Sequence, residues 1–367
     1  MSYKIFADLT TADPAALSQF YEAMKQPFAV KGAVMPDVHK GYSLPIGSVV
    51  ATRGVIVPSW VGYDIGCGVG AMKLGIDSRA IVDLSEEIYK RIKQRVPMGT
   101  ASHSTPVREL SKLPEPPTAL SKAQYSKRGG ANQLGTLGGG NHFIEIGEDH
   151  KHSVWVIIHS GSRGTGHGIA GEYMKLASGS DKAKEGHYPL FVDCDEGADY
   201  IADLNWALNY ALRNREAMLR IVHQILEELV GKWAPRSRSI NRNHNHAELK
   251  DGLWIHRKGA IHADAGMYGV IPGNMRDGSF IVIGKGNEEA LCSSSHGAGR
   301  ELGRDQASKT LSLEEFQYEM QGVRANVSQG TLDESPMAYK NIFEVMEMQK
   351  DLVDVVAHIK PIVNLKG

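Results

Sequence analysis

VWVIIHSGSRGTGHGIAG, residues Val154 to Gly171, opens as a β-strand and closes as a glycine-rich segment of helical spacing. The apolar, β-branched run Val154–His159 reads as a strand ending in a polar turn. Gly166, Gly168 and Gly171 formally match GxGxxG, but the match starts well after the strand and no tidy βαβ unit follows. That excludes a dinucleotide-binding fold, in which the glycines must sit between strand and helix. No GxxxxGKS/T occurs either, so any triphosphate is not held by a P-loop. Other strand-like runs, Gly47–Ala51, Leu253–His256 and Phe280–Ile283, are equally short, and each lies near a turn bearing glycine or histidine. Strands and helical stretches interleave irregularly. The expected fold is α+β: one compact domain over residues 1–367, with mixed sheets, helices packed outside and loops gathered at one central cleft.

The helices have readable ends. Asp13-Pro14 reads as an N-cap with proline at the first position, followed by Leu17, Phe20, Tyr21 and Met24 and stopped by Pro27. Asp83 with Glu86 resembles a capping box before Ile88, Ile92 and Val96, and Ser312 with Glu315 another. The longest pattern runs from about Asp199 to Val230, with Gly231 at its C-cap. Thr100–Arg128, with Pro106, Pro114, Pro116 and Pro117, reads as a long surface loop suited to a lid.

Composition narrows the class. With 42% hydrophobic and 23% charged residues the chain matches an ordinary globular protein with a sizeable core. No apolar run approaches the roughly 18–20 residues of a bilayer span, and no signal-peptide pattern is visible, so no membrane role is expected. Cys67, Cys194 and Cys292 are far apart without a CxxC pair, which suits a reducing, cytoplasmic setting. The net charge of −1 supplies no global pull on nucleic acid. The 40 glycines and 15 histidines are the unusual feature, because they cluster beside polar residues. Glycine admits close backbone approach to a ligand, and histidine is the commonest transition-metal ligand.

The clusters are PDVHKGYSLPIG (Pro36–Gly47), VGYDIGCG (Val61–Gly68), GGGNHFIE (Gly138–Glu145), HSGSRG (His159–Gly164), NHNH (Asn243–His246) and SSSHGAGR (Ser293–Arg300). Asp64 and Cys67, three apart in a glycine turn, can converge on one ion, and a thiolate has lone pairs enough to bridge two. Alone, Cys67 reads as a buried cysteine in a turn. Together with His142, His159 and His244 at similar strand ends, it reads as part of a mixed Asp/Cys/His metal site. Those ligand types accept zinc, manganese or iron, at a spacing too dispersed for a zinc finger. In SSSHGAGR, His296 lies between three hydroxyls and a Gly-Ala-Gly run, with Arg300 beyond. A neutral imidazole there can attack phosphorus if a cation opposes it, and the turn's N–H groups can cradle phosphate. Taken by itself the segment fits a tight turn with an exposed histidine equally well. Ser160, Ser162 and Arg163 form a second candidate anion site. The acidic run Asp193–Tyr200 lacks EF-hand spacing.

In their order along the chain, DIGCG, GGGNHF, HSGSRG and SHGAGR resemble the RtcB family of RNA-splicing and RNA-repair ligases. The resemblance extends from PDVHKG to Lys366-Gly367. It implies that His296 attacks the α-phosphate of GTP and carries GMP. A 2′,3′-cyclic phosphate is opened to a 3′-phosphate, GMP passes onto that end, and a 5′-hydroxyl displaces it. The resemblance assigns two manganese ions per subunit to Asp64, Cys67, His142, His159 and His244, with Cys67 bridging. It places Asn141 on the GTP phosphates and Glu145, Tyr339 and Lys366 on the guanine, while Ser295, Gly297, Ala298, Gly299 and Arg300 flank the nucleotide. Asp37, Arg163 and Lys258 are further active-site candidates. The implied partners are RNA with 3′-phosphate or cyclic-phosphate and 5′-hydroxyl ends, and an archease-type activator. The sequence departs from the family pattern at His246, at Ile261-His262 after HRKGA, at PGNMR (Pro272–Arg276) and at Gly303-Arg304. Two other functions fit parts of the pattern: a binuclear phosphohydrolase with no covalent nucleotide, and a non-catalytic RNA-binding homologue.

Overall fold

Period-two alternation in the β-branched runs sets the architecture. In the computed structural model, which describes residues 2–231 and 233–367, two main sheets form. The larger follows the order Tyr268–Pro272, Ser279–Gly284, Val353–Lys366, Phe143–Glu148, Ser153–Ser160, Gly68–Asp77 and Arg236–Asn243. Every pair along that path is antiparallel. The sheet curls until its last strand meets its first, where Arg242 Nε donates to the Tyr268 carbonyl at 3.2 Å. Ile144, Ile146, Val154, Val156 and Ile158 point out toward the helices. Phe143, Trp155, Ile157, Val69 and Ile281 point into the curl. Strand side chains alternate faces, so this one pattern fills both layers of core. Truncating one such fully buried isoleucine to alanine costs about 2–5 kcal/mol.

The smaller sheet has the order Ser2–Ile5, Ala29–His39, Ile46–Thr52, Leu253–Lys258 and Asn245–Lys250, with only the first pair parallel. A short pair, Ala260–His262 with Ser293–Ser295, brings the SSSHGAGR segment beside it. The α+β expectation holds. Among the described residues no helix is long and apolar enough to cross a membrane.

Several local expectations hold and others are corrected. Asp13 Oδ1 accepts from Ala15 N at 2.8 Å and starts Pro14–Met24. Ser312 accepts from Glu315 N ahead of Leu313–Glu319. The long helix begins at Asp195 rather than Asp199, because Asp195 and Glu196 suit the positive end of its dipole. It ends as read, at Gly231 with φ 69°. Asp83 does not start the helix Ser85–Arg95: it is the C-cap of the one-turn helix Arg79–Val82, and Ser85–Arg95 starts behind Leu84 with no side-chain cap. Nor is Thr100–Arg128 a free loop. It contains a 3₁₀ turn, Arg108–Lys112, and a helix, Ala119–Lys127, capped by Thr118. Buried anchors pin it to the long helix: Trp206 Nε1 donates to Pro114 O, Thr118 to Asp203, and Arg220 to Glu109. The GxGxxG match lies inside the helix Arg163–Ser178. Two of its glycines serve packing, since a Cβ at Gly166 would sit against Ser162 Oγ and one at Gly168 would sit 2.2 Å from Gln124 Oε1.

Candidate active site

Three strand ends and one turn deliver a cluster of donors. Asp64 and Cys67 lie in the turn before Gly68–Asp77, His142 just precedes Phe143–Glu148, His159 lies in Ser153–Ser160, and His244 follows Arg236–Asn243. Cys67 Sγ is 3.5 Å from His142 Nε2 and 3.2 Å from His159 Nε2. His142 Nε2 is 3.1 Å from Asp64 Oδ2, and His159 Nε2 is 3.3 Å from His244 Nε2. The sulfur therefore stands between an Asp64/His142 side and a His159/His244 side. Gly161 is needed beside it, because a Cβ there would meet Asp64 Oδ1 at 2.1 Å.

The rings are aimed from behind. His142 Nδ1 faces the Leu137 carbonyl at 3.0 Å and His159 Nδ1 that of Asn141 at 3.2 Å. A proton held at Nδ1 by a carbonyl leaves Nε2 bare toward the centre, as a metal ligand requires. Burial keeps His159 and His244 neutral by pulling their pKa well below the ordinary value. Burial, then the Asp64 charge, pushes the Cys67 thiol up. The Asp64 carboxyl, raised by burial, is brought back below the usual range by His142. Neutral imidazoles, a carboxylate and a thiol that a divalent cation would deprotonate make a donor set that fits one or two such ions.

His296 stands next to this cluster, its ring centroid 4.7 Å from that of His244. Its Nδ1 is 2.7 Å from Oδ2 of the fully buried Asp37, which also accepts the His296 backbone N–H at 3.1 Å. This pair places the ring proton on Nδ1 and exposes the Nε2 lone pair. A pocket opens from the ring, lined by Asn141, Phe143, Gly297, Ala298, Gly299, Arg300, Tyr339 and Lys366. Glu334 anchors its far wall, accepting from Tyr339 OH at 2.6 Å and Lys366 Nζ at 2.8 Å, with Arg300 Nη1 at 3.3 Å. Burial raises the Glu334 pKa, but Lys366 and Arg304 prevail and hold it at about 2.

Other residues singled out from sequence stand off the pocket wall. Glu145 is buried on the same face as Phe143, bound by Ser279 at 2.9 Å and Asn364 at 3.1 Å, and burial lifts its carboxyl to about 7. Lys258 Nζ donates to the Val61 carbonyl at 3.0 Å and props the turn that carries Asp64. Arg163, at φ 60°, donates to Thr136 and to Gly99 O. Ser295 is fully buried, with Oγ unpaired.

Four important residues were not found from sequence: Asn214, Arg215, Arg304 and Glu334. Arg215, wholly buried in the long helix, donates to Gly66 O at 2.8 Å, Ser160 O at 2.7 Å, and Asn241 and Asn243 Oδ1 at 2.6 Å each. Asn214 binds Gly135, Thr136, Ser160 and Gly161. Together they tie the segments bearing Cys67, His142, His159 and His244 to one helix. The only sequence signal was an asparagine and an arginine inside an otherwise apolar stripe.

The fold and site define a class: a mixed α+β protein whose Asp/Cys/His donor cluster opens, past a carboxylate-oriented histidine, onto a cationic pocket. The chain belongs to the RtcB family. The family model described as tRNA-splicing ligase RtcB matches residues 19–118 and 112–367. The RNA-splicing ligase RtcB of Escherichia coli K12 is 35% identical, over 96% of this chain and 94% of that protein. The tRNA-splicing ligases RtcB of Thermococcus kodakarensis and Nanoarchaeum equitans are 30% and 29% identical, each over 91% of this chain and 87% of theirs.

Proposed function

We propose that the whole chain, residues 1–367, acts as one RNA ligase in RNA repair or tRNA splicing. It joins 3′-phosphate or 2′,3′-cyclic phosphate ends to 5′-hydroxyl ends and consumes GTP as co-substrate. One observation carries this reading: the His296 Nε2 lone pair is freed by the Asp37 contact at 2.7 Å, and its ring packs on His244 of the donor cluster. His296 Nε2 attacks the α-phosphorus of GTP, and the P–O bond to pyrophosphate breaks with the electron pair leaving on pyrophosphate. On a cyclic-phosphate end, water first adds to phosphorus and the P–O bond to O2′ breaks, leaving a 3′-phosphate and a 2′-hydroxyl; the N–P bond to GMP then breaks as a 3′-phosphate oxygen of the RNA takes its place. Attack by the 5′-hydroxyl finally expels GMP and forms the phosphodiester.

Asp64, Cys67, His142, His159 and His244 would hold two manganese ions, which supply the charge neutralisation that phosphoryl transfer demands. Asn141, Gly297, Ala298, Gly299 and Arg300, on the pocket wall, serve the phosphates and the nucleotide's flank, and Arg163 and Ser295 support them from behind it. Tyr339 and Lys366, on the pocket wall, serve the guanine, and reaching it with Glu145 would require that carboxyl to leave Ser279 and Asn364. Asp37 positions His296, and Lys258 supports the metal-bearing turn. A thiolate ligand requires a reducing compartment, which argues for the cytoplasm, and an archease-type protein is the expected activator.

The test is denaturing electrophoresis after incubation with α-labelled GTP and manganese. Label stays on the wild-type chain and is absent from His296→Ala, while that variant still binds manganese. A chain that releases labelled guanine nucleotide without ever carrying label is a phosphohydrolase, and the ligase reading fails.

A further inference from the structure

A second set of metal-ligating side chains lies apart from the Cys67 cluster. His246 and Glu248, two residues apart on the strand Asn245–Lys250, project from the same face. His262, at the end of Ala260–His262, meets them from the neighbouring pair of strands. One donor atom from each of the three lies within 4.8 Å of the others. His246 and His262 are two of the positions at which the sequence departs from the family pattern.

From this geometry we propose that His246, Glu248 and His262 form a second divalent-cation site of the zinc class, joining the Asn245–Lys250 strand to the Ala260–His262 strand. The two Nε2 atoms face each other at 3.0 Å. A tetrahedral zinc with Zn–N of 2.0–2.1 Å holds its ligands about 3.3 Å apart, so a shift of a few tenths of an ångström admits the ion. The Cys67 cluster shows the same compaction, with 3.3 Å between its His159 and His244 nitrogens.

The surroundings prepare the donors. Asp264 Oδ2 faces His262 Nδ1 at 3.3 Å while its Oδ1 is held by Lys250 Nζ at 2.6 Å. That carboxylate keeps the His262 proton on Nδ1 and leaves Nε2 bare, the outer contact that metal-bound histidines characteristically make. Glu248 divides its oxygens: Oε1 accepts from Arg257 Nη1 at 2.6 Å, and Oε2 lies 3.5 Å from His262 Nε2. Arg257 is fixed by Ser293 Oγ and the Leu291 carbonyl, and its Nη1 is nearest Glu248 but also faces His262 Nε2 at 3.5 Å, so the guanidinium must turn toward Glu248 when the ion enters. Glu248 and His262 side chains are 34% and 20% exposed, which gives a cation an entry path and leaves a coordination position for water. The competing account is a proton shared between the two imidazoles, with Arg257 Nη1, 3.2 Å from His246 Nε2, as a third partner. The guanidinium also makes this site weaker than the thiolate cluster, so it fills second.

Zinc bound per full-length chain after equilibrium dialysis, read by elemental mass spectrometry, decides between them. The wild type should hold one zinc more than His262→Gln or Glu248→Gln. In cobalt-loaded samples the thiolate-to-cobalt absorption of Cys67 should be equal in all three. Glu248→Gln, altered at a part-exposed side chain, decides the matter if His262→Gln does not fold. Equal zinc in the wild type and the folded variants overturns the proposal. So does zinc lost together with the thiolate band, because the loss then belongs to the Cys67 cluster. None of these outcomes depends on ligase activity.

Discussion

Replacing Arg215 by methionine should damage both the stability of the fold and the metal cluster. Methionine keeps the unbranched apolar stem but removes the guanidinium. Of its four acceptors, Asn241 and Asn243 are part-exposed and can turn to water, whereas the Gly66 and Ser160 carbonyls are buried. A buried acceptor left unpaired costs about 1–3 kcal/mol, so the two carbonyls together cost about 2–6 kcal/mol. Relief of the guanidinium's own burial, which already lowers its pKa to about 10, offsets part of this. The net expectation is about 3 kcal/mol out of a total stability of about 5–15 kcal/mol. The Gly66 carbonyl belongs to the turn that carries Cys67, and the Ser160 carbonyl to the end of the strand that carries His159. Manganese affinity should therefore fall by about 10–100-fold, the usual consequence of losing an outer-shell contact. Urea unfolding of the metal-free protein measures the first effect and calorimetric titration with manganese the second. A variant within 1 kcal/mol of the wild type by the first measure, and with unchanged manganese affinity, would refute the claim that this helix organises the site.

Further predictions follow from individual contacts. Asp37→Asn preserves the shape around His296 but removes a charge-assisted hydrogen bond worth about 1.5–3 kcal/mol, so guanylylation should slow roughly 10- to 150-fold with little change in the KM for GTP. Single-turnover labelling checks this, and a rate within twofold of the wild type contradicts it. Glu145 has a folded pKa of about 7, above the ordinary carboxyl value of 4.5. Its contribution to stability is therefore complete below about pH 4.5 and lost as pH rises through 7. Glu145→Gln should match the wild type near pH 4 and exceed it at pH 8 by on the order of 2–3 kcal/mol in urea unfolding. Parallel pH profiles for the two proteins would show that the buried carboxyl does not set this dependence.

What the sequence determined by itself was local. Glycines beside Asp64, Cys67, His142, His159 and His296 mark turns where backbone must come close, and β-branched runs ahead of them mark strands. Those signals depend only on near neighbours, so these residues stand out as a set in the sequence, while the roles expected of them come from the resemblance to the RtcB family. Asp83 gives no reliable start for Ser85–Arg95, because an acidic residue before a helix looks the same whether it starts that helix or ends the turn before it. Tertiary structure alone decided which residues meet. Asp37 reaches His296 across 259 positions, and Arg215 holds turns that come from three separate strands. Glu334 gathers Tyr339 and Lys366, while Glu145 withdraws behind Phe143. Periodicity reports that a side chain is buried but not what it is buried against. Partners of buried charges are set by how sheets curl and helices cross, and no window of sequence contains that information.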